Sequence, residues 1–132
     1  MDNLEKSELV IAKILGLLME WGLADTELKF EELELDEEYL PFFATCVEWL
    51  EREGIIRARK VHQFKGGEAL VIGPTLTARG LSLMGNHLKI GDADTTVGEA
   101  VKETKKETTF YTGLGDFGGG FVGGLFKSLG GG

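Results

Sequence analysis

Ten of the chain's twenty glycines fall within its last twenty residues, and the large apolar residues of that region keep a regular spacing. Phe110, Leu114, Phe117, Phe121, Leu125 and Leu129 follow one another at steps of four, three, four, four and four, with Phe126 beside them. Those steps trace one face of a helix. Glycine costs about 1 kcal/mol per residue relative to alanine inside a helix, so this segment does not hold a helix alone in water. It needs a surface to lie on: a membrane, a second copy of the chain, or the chain's own folded part. A tail of this kind constrains the fold to a compact domain upstream and a conditional element behind it.

A chain of 132 residues suits one domain plus an appendage. Its net charge of −8 argues against non-specific polyanion binding. The charge is unevenly placed: residues 1–54 carry four Lys/Arg against fifteen Asp/Glu, residues 55–90 six against one, and residues 91–132 four against six. A basic middle therefore sits between two acidic regions. Cys46 is the sole cysteine, so no internal disulfide forms, in keeping with a reducing compartment. Asp2, Glu5 and Glu8 make the N-terminus acidic where a secretory signal is basic. The apolar run over residues 9–23 is interrupted by Lys13 and Glu20 and falls short of the roughly 20 residues of a membrane span. The expectation is a cytoplasmic protein, peripheral at a membrane if the tail binds one.

Residues 4–21 read as a first helix on the spacing of Ile11, Ile14, Leu15, Leu18 and Trp21, stopped at Gly22. Val10, Leu17 and Met19 widen its apolar surface beyond one stripe, which makes them the candidate homodimer interface. In the acidic stretch over residues 26–38, Leu28 and Phe30 alternate as in a strand while residues 31–35 suit a short helix. A second long helix starts near Pro41, after a lead-in turn, and ends at Gly54; it carries Phe43, Cys46, Val47 and Leu50 on one face. Residues 55–61 alternate apolar and basic, residues 68–72 are apolar, and Lys65, Gly66 and Gly67 between them signal a hairpin turn. A further helix is expected over residues 76–88. Residues 89–95 read as a linker. Thr96 with Glu99 forms a capping box opening a short helix over residues 97–108, whose few apolar residues suit a solvated spacer.

In order, these are a helix, a short element, a helix, a hairpin and a helix. With the stretches CVEWLEREGIIRARKV (residues 46–61) and LTARGLSLMG (residues 76–85), residues 4–88 resemble the winged helix-turn-helix superfamily. The fold so implied is α+β and mainly helical, a winged-helix domain over residues 1–88 with a two-stranded wing. The linker and short polar helix (residues 89–108) and the Gly/Phe-rich tail (residues 109–132) follow it.

The resemblance implies DNA binding in some members and protein interaction in others. In the DNA-binding members the second helix of the motif enters the major groove. Here that helix and its lead-in carry Asp36, Glu37, Glu38, Glu48, Glu51 and Glu53 against one basic residue, Arg52, which disfavours phosphate contact. The expected wing holds Arg57, Arg59, Lys60, His62 and Lys65, a basic cluster for phosphate contact in the alternative reading and the solvated face of a hairpin in the plainer one. Gly115, Gly119 and Gly123 form a ladder at four-residue spacing that resembles the glycine-zipper pattern of membrane-associated segments and permits close helix packing. Asp116 and Lys127 oppose a true span. Phe110, Leu114, Phe117, Phe121, Leu125, Phe126 and Leu129 are thus the candidate contacts to a membrane surface or a partner, beside the plainer reading of a low-complexity tail.

Catalytic patterns are thin. His62 and His87 stand apart, Cys46 sits on an apolar helix face, and the carboxylates over residues 31–38 lack the alternating pattern of a calcium loop. The expectation is a non-enzymatic protein-interaction or regulatory module, without metal or cofactor. Its partners are a protein or a second copy, with the tail adding a membrane surface or another protein. A DNA-binding transcriptional regulator is the alternative.

Overall fold

A computed structural model describes residues 2–90 and 93–106 together with Leu125, Phe126 and Leu129. The fold is α+β, with four α-helices and small antiparallel sheets among the described residues.

Helix α1 (Asn3–Trp21) opens on a reciprocal cap: the Glu5 N–H donates to Asp2 Oδ1 at 2.8 Å and the Asp2 N–H reaches Glu5 Oε1 at 3.5 Å. It stops at Gly22, whose φ of 61° suits glycine and whose N–H closes on the Leu18 carbonyl at 2.9 Å. Every residue from Glu8 to Leu18 is buried. A helix buried all round must be covered on several sides at once. Helix α2 (Phe43–Arg52) and the 3-10 helix before it (Glu37–Phe42) cover one side, and α4 (Val97–Lys106) covers another.

Between α1 and α2 the acidic stretch resolves into both of the forms its pattern allowed. Strand β1 (Glu27–Leu28) comes first, then a 3-10 turn (Phe30–Leu33). Pro41 lies inside the 3-10 helix leading into α2. Phe43, fully buried, meets the Phe30 ring edge-on at 5.9 Å.

The expected hairpin is present but divided. Strand β3 (Lys60–Gln63) pairs with β4 (Ala69–Ile72) from Lys60↔Ile72 to Gln63↔Ala69, and β1 adds to the other edge of β4. The segment read as one strand over residues 55–61 is broken, however. Strand β2 (Ile56–Arg57) pairs separately with β5 (Thr75–Leu76). The break sits opposite Gly73-Pro74. Gly73 has φ 64° and proline offers no ladder N–H, so pairing is interrupted there.

Two expectations need correction. The helix expected over residues 76–88 is shorter: α3 spans Ala78–Met84, with the Gly80 N–H capped by Thr77 Oγ1 at 2.9 Å. Leu76 belongs to β5, and Leu88 to a second hairpin that replaces the expected linker, β6 (His87–Ile90) with β7 (Ala93–Thr96). Nor is α4 a solvated spacer. Val97, Ala100, Val101 and Thr104 are buried, and the helix lies along α1. The packing is close because Gly16 of α1 presents no side chain to α4. A Cβ added at Gly16 of α1 meets the Val101 carbonyl oxygen and the Lys105 Cβ at 2.8 Å. Thr104 tolerates burial because its hydroxyl donates to the Ala100 carbonyl at 2.9 Å. At the start of α4 the Glu99 N–H bonds to Thr96 Oγ1 at 3.2 Å, the cap its sequence predicts.

Candidate interaction surface

The N-terminal half of α1 and the middle of α2 lie side by side. Helical spacing sends Phe43, Cys46, Val47 and Leu50 of α2 into the core, which turns Thr45 and Trp49 toward the margin shared with α1. Leu4, Ser7 and Ile11 of α1 face them, and together with Cys46 these residues line a groove of about 390 Å³. Phe126 from the tail forms part of the groove's lining. Its ring meets the Trp49 indole edge-on at 5.2 Å and 90°, a geometry worth about 0.5–1.5 kcal/mol beyond burial. The Phe126 N–H donates to Glu8 Oε2 at 3.2 Å. Leu125, Phe126 and Leu129 are helical, and Leu125 and Leu129 are 0% and 1% exposed. The surface on which this part of the tail lies is therefore the chain's own domain. Phe110, Leu114, Phe117, Phe121, Gly115, Gly119 and Gly123 lie outside the described residues.

Glu8 is 0% exposed, and burying a carboxylate is costly without hydrogen bonds to its oxygens. The tail N–H meets that need. The bond ties the tail's main chain to α1.

Lys13, on α1, is also buried; its Nζ donates to the Lys105 carbonyl at the end of α4 at 3.3 Å. A cation at a helix C-terminus is favourable, and Lys105 in turn pairs with Glu20 at 2.7 Å. Burial holds the Lys13 pKa below its ordinary 10.5; nearby Glu34 opposes the shift and Lys105 adds to it. Burial pushes the Cys46 thiol from 9.0 up to about 12, against its hydrogen bond to the Ser7 carbonyl. A thiol so raised is a poor nucleophile.

These shifts act in opposite directions. Just below pH 10.5 the unfolded chain keeps the Lys13 proton that the folded chain releases, so Lys13 makes stability rise with pH there. From 9.0 toward 12 the folded chain keeps the Cys46 proton that the unfolded chain releases, so Cys46 makes stability fall. Urea unfolding between about pH 8 and pH 11 is expected to show a steeper alkaline fall in Lys13→Met and a shallower one in Cys46→Ala than in the parent chain. Identical slopes would contradict both assignments.

Val10 and Leu17, expected at a dimer interface, are 0% and 7% exposed inside the chain, and Met19 is half-buried with its Cε close to Gly98. Their excess over a single core face is used within the monomer, because α4 and the tail add further core. The basic cluster is spread over two sheets. Arg57 stands on β2, Lys60 and His62 share one face of β3, and Lys65 is in the turn. Arg57, Arg59, Lys60 and Lys65 are exposed and His62 is half-buried. Arg59 pairs with Asp25 at 2.7 Å. On α2 the one basic residue, Arg52, is paired with Glu48 at 2.7 Å, while Asp36, Glu37, Glu38 and Glu53 are exposed.

A second apolar groove of about 170 Å³ lies at the other end of α1, lined by Leu18, Met19, Gly22, Leu23, Leu76 and Leu81. Among the described residues no three His, Cys, Asp or Glu side chains gather as a metal-binding group, and no helix is long and apolar enough to cross a membrane.

Sequence reasoning did not pair Trp49 with Phe126, nor see that Glu8 and Lys13 are buried. Part of the signal was present. Val97, Ala100, Val101 and Thr104 share one helix face, and Gly16 interrupts the apolar run of α1. A glycine facing small residues marks a close helix crossing. No known family model, curated protein or solved structure matches this chain.

Proposed function

We propose that this chain is a non-enzymatic protein-interaction or regulatory module of winged-helix-like architecture. The observation that carries the reading is the α1–α2 groove, bordered by Phe126 of an apolar helical segment. The architecture is supported by the order α1, β1, 3-10 turn, α2 and the β3–β4 hairpin, with β1 at the hairpin's edge. It departs from the usual pattern in having only a 3-10 turn before the lead-in to α2. The lead-in and C-terminal cap of the helix in the DNA-reading position bear exposed carboxylates, and the helix's one arginine is already paired. That arrangement repels phosphate and suits a protein partner.

The exposed Arg57, Lys60 and Lys65 favour a second reading, a transcriptional regulator touching DNA through its hairpin. Co-sedimentation of the intact chain with duplex DNA and with phosphatidylcholine/phosphatidylserine vesicles separates the readings. The expected result is that the chain stays in the supernatant in both cases. Salt-sensitive pelleting with DNA, whose log–log salt slope falls by about 2–3 in the Arg57→Ala/Arg59→Ala/Lys60→Ala variant, would establish the second reading instead. Pelleting with vesicles would make the tail a membrane element, at the expense of its seat on the domain.

A further inference from the structure

We infer that the α1–α2 groove is a receptor for a short amphipathic helix of a protein partner, and that the tail autoinhibits it by covering one side of it in cis. This inference rests on the interaction-module reading. The segment packed beside the groove indicates the chemistry this face of the domain accepts. Leu125 and Leu129, one helical turn apart, present adjacent side chains on one face and are both buried. Phe126, next in sequence to Leu125, offers its ring to Trp49 and its N–H to Glu8. The pattern is Leu-Phe-x-x-Leu with a backbone N–H held by a buried carboxylate.

The seat is also incompletely filled. Space remains beside Phe126 along Ser7, Thr45 and Cys46, and Leu4 at its rim is 58% exposed. A partner helix with one more apolar residue would cover what the tail leaves open. The charge points the same way. Residues 1–54, which supply both walls, carry four basic residues against fifteen acidic ones, and the tail places Lys127 between Phe126 and Leu129 in sequence. A helix with basic residues flanking its apolar anchors therefore complements the groove.

Competition from the tether sets the regulation. Eighteen residues, 107–124, join α4 to Leu125. A short connection of this kind holds its segment at an effective concentration on the order of millimolar. A partner of equal intrinsic affinity is excluded, and one with additional contacts displaces the tail. Release frees Leu125, Phe126 and Leu129 together with the groove.

The test uses the full chain and a fluorescein-labelled peptide of sequence FVGGLFKSLGGG, residues 121–132, read by anisotropy. Phe126→Ala is expected to bind the peptide at least about tenfold more tightly than the parent chain, because its own tail is a weaker competitor. Adding Trp49→Ala to that background is expected to abolish binding. Equal affinity for the parent and Phe126→Ala, or no binding by a Phe126→Ala chain with an unchanged circular dichroism spectrum, would overturn the inference. A measurement on the parent chain guards against misfolding of the variant. Saturating unlabelled peptide is expected to accelerate amide exchange at Phe126, and unchanged exchange would count equally against the proposal. Vesicle binding by Phe126→Ala without peptide binding would assign the freed tail to a lipid surface and reject the receptor. The interaction-module reading is judged separately, by the sedimentation of the parent chain.

Discussion

Replacing Leu125 and Leu129 together with alanine is expected to lower the unfolding free energy by about 4 kcal/mol or more, since each large-to-small change at a buried site costs about 2–5 kcal/mol. The two side chains are neighbours on one helical face, so their costs need not add. The effect is large against a total stability of about 5–15 kcal/mol. It arises because both residues belong to the same buried cluster as Leu9, Val10 and Leu50. Urea unfolding followed by the fluorescence of Trp49, which Phe126 touches, measures it directly. A tail that merely trailed from the domain would give no change in midpoint, and that result would remove the tail from the core.

The second large effect is expected at Gly16. Helix propensity alone favours Gly16→Ala by about 1 kcal/mol. Against that, the new Cβ would stand 2.8 Å from the Val101 carbonyl oxygen and from the Lys105 Cβ. The side chain of Lys105 can adjust, but a helix carbonyl does not yield without moving α4. Overpacking of this kind costs about 1–3 kcal/mol. The steric term is expected to win, making Gly16→Ala destabilising in spite of its better propensity. Gly16→Val, with two further methyl groups and a restricted rotamer, is expected to cost about 3 kcal/mol or more. Thermal unfolding of the pair gives the answer by its sign. A stabilised Gly16→Ala would mean that α4 does not lie against α1 at this point.

These two effects share a cause that also explains how the chain could be read. The extent of α1, its stop at Gly22, the presence of a lead-in turn before α2, the hairpin turn at residues 65–67 and the Thr96 cap were all legible, while α2 begins at Phe43, two residues past the start expected near Pro41. Each is set by interactions within a few residues: helical spacing, a glycine able to take positive φ, a proline without N–H, a hydroxyl three residues from the N–H it caps. The division of the hairpin at Gly73-Pro74 follows from the same local chemistry once the pairing partner is known. The register that places Lys60 opposite Ile72 is not a local property.

By itself the sequence determined that the tail needs a surface, that α1 has more apolar area than one face requires, and that α2 and its lead-in are acidic. Those are properties of composition and spacing, fixed before any contact forms. Only the tertiary structure decided what meets the apolar surfaces. It gave Val10 and Leu17 to the chain's own core, turned α4 from a spacer into a packing partner through Gly16, and seated Leu125 and Leu129 on the domain. It also buried Glu8 and Lys13 beside main-chain groups 118 and 92 residues away in sequence. Apolar burial is non-directional, so an apolar stripe states how much area must be covered but not by what. The choice of cover depends on shape, here a glycine facing the Val101 carbonyl and a tryptophan facing a phenylalanine. Such complementarity arises only when distant segments are brought together.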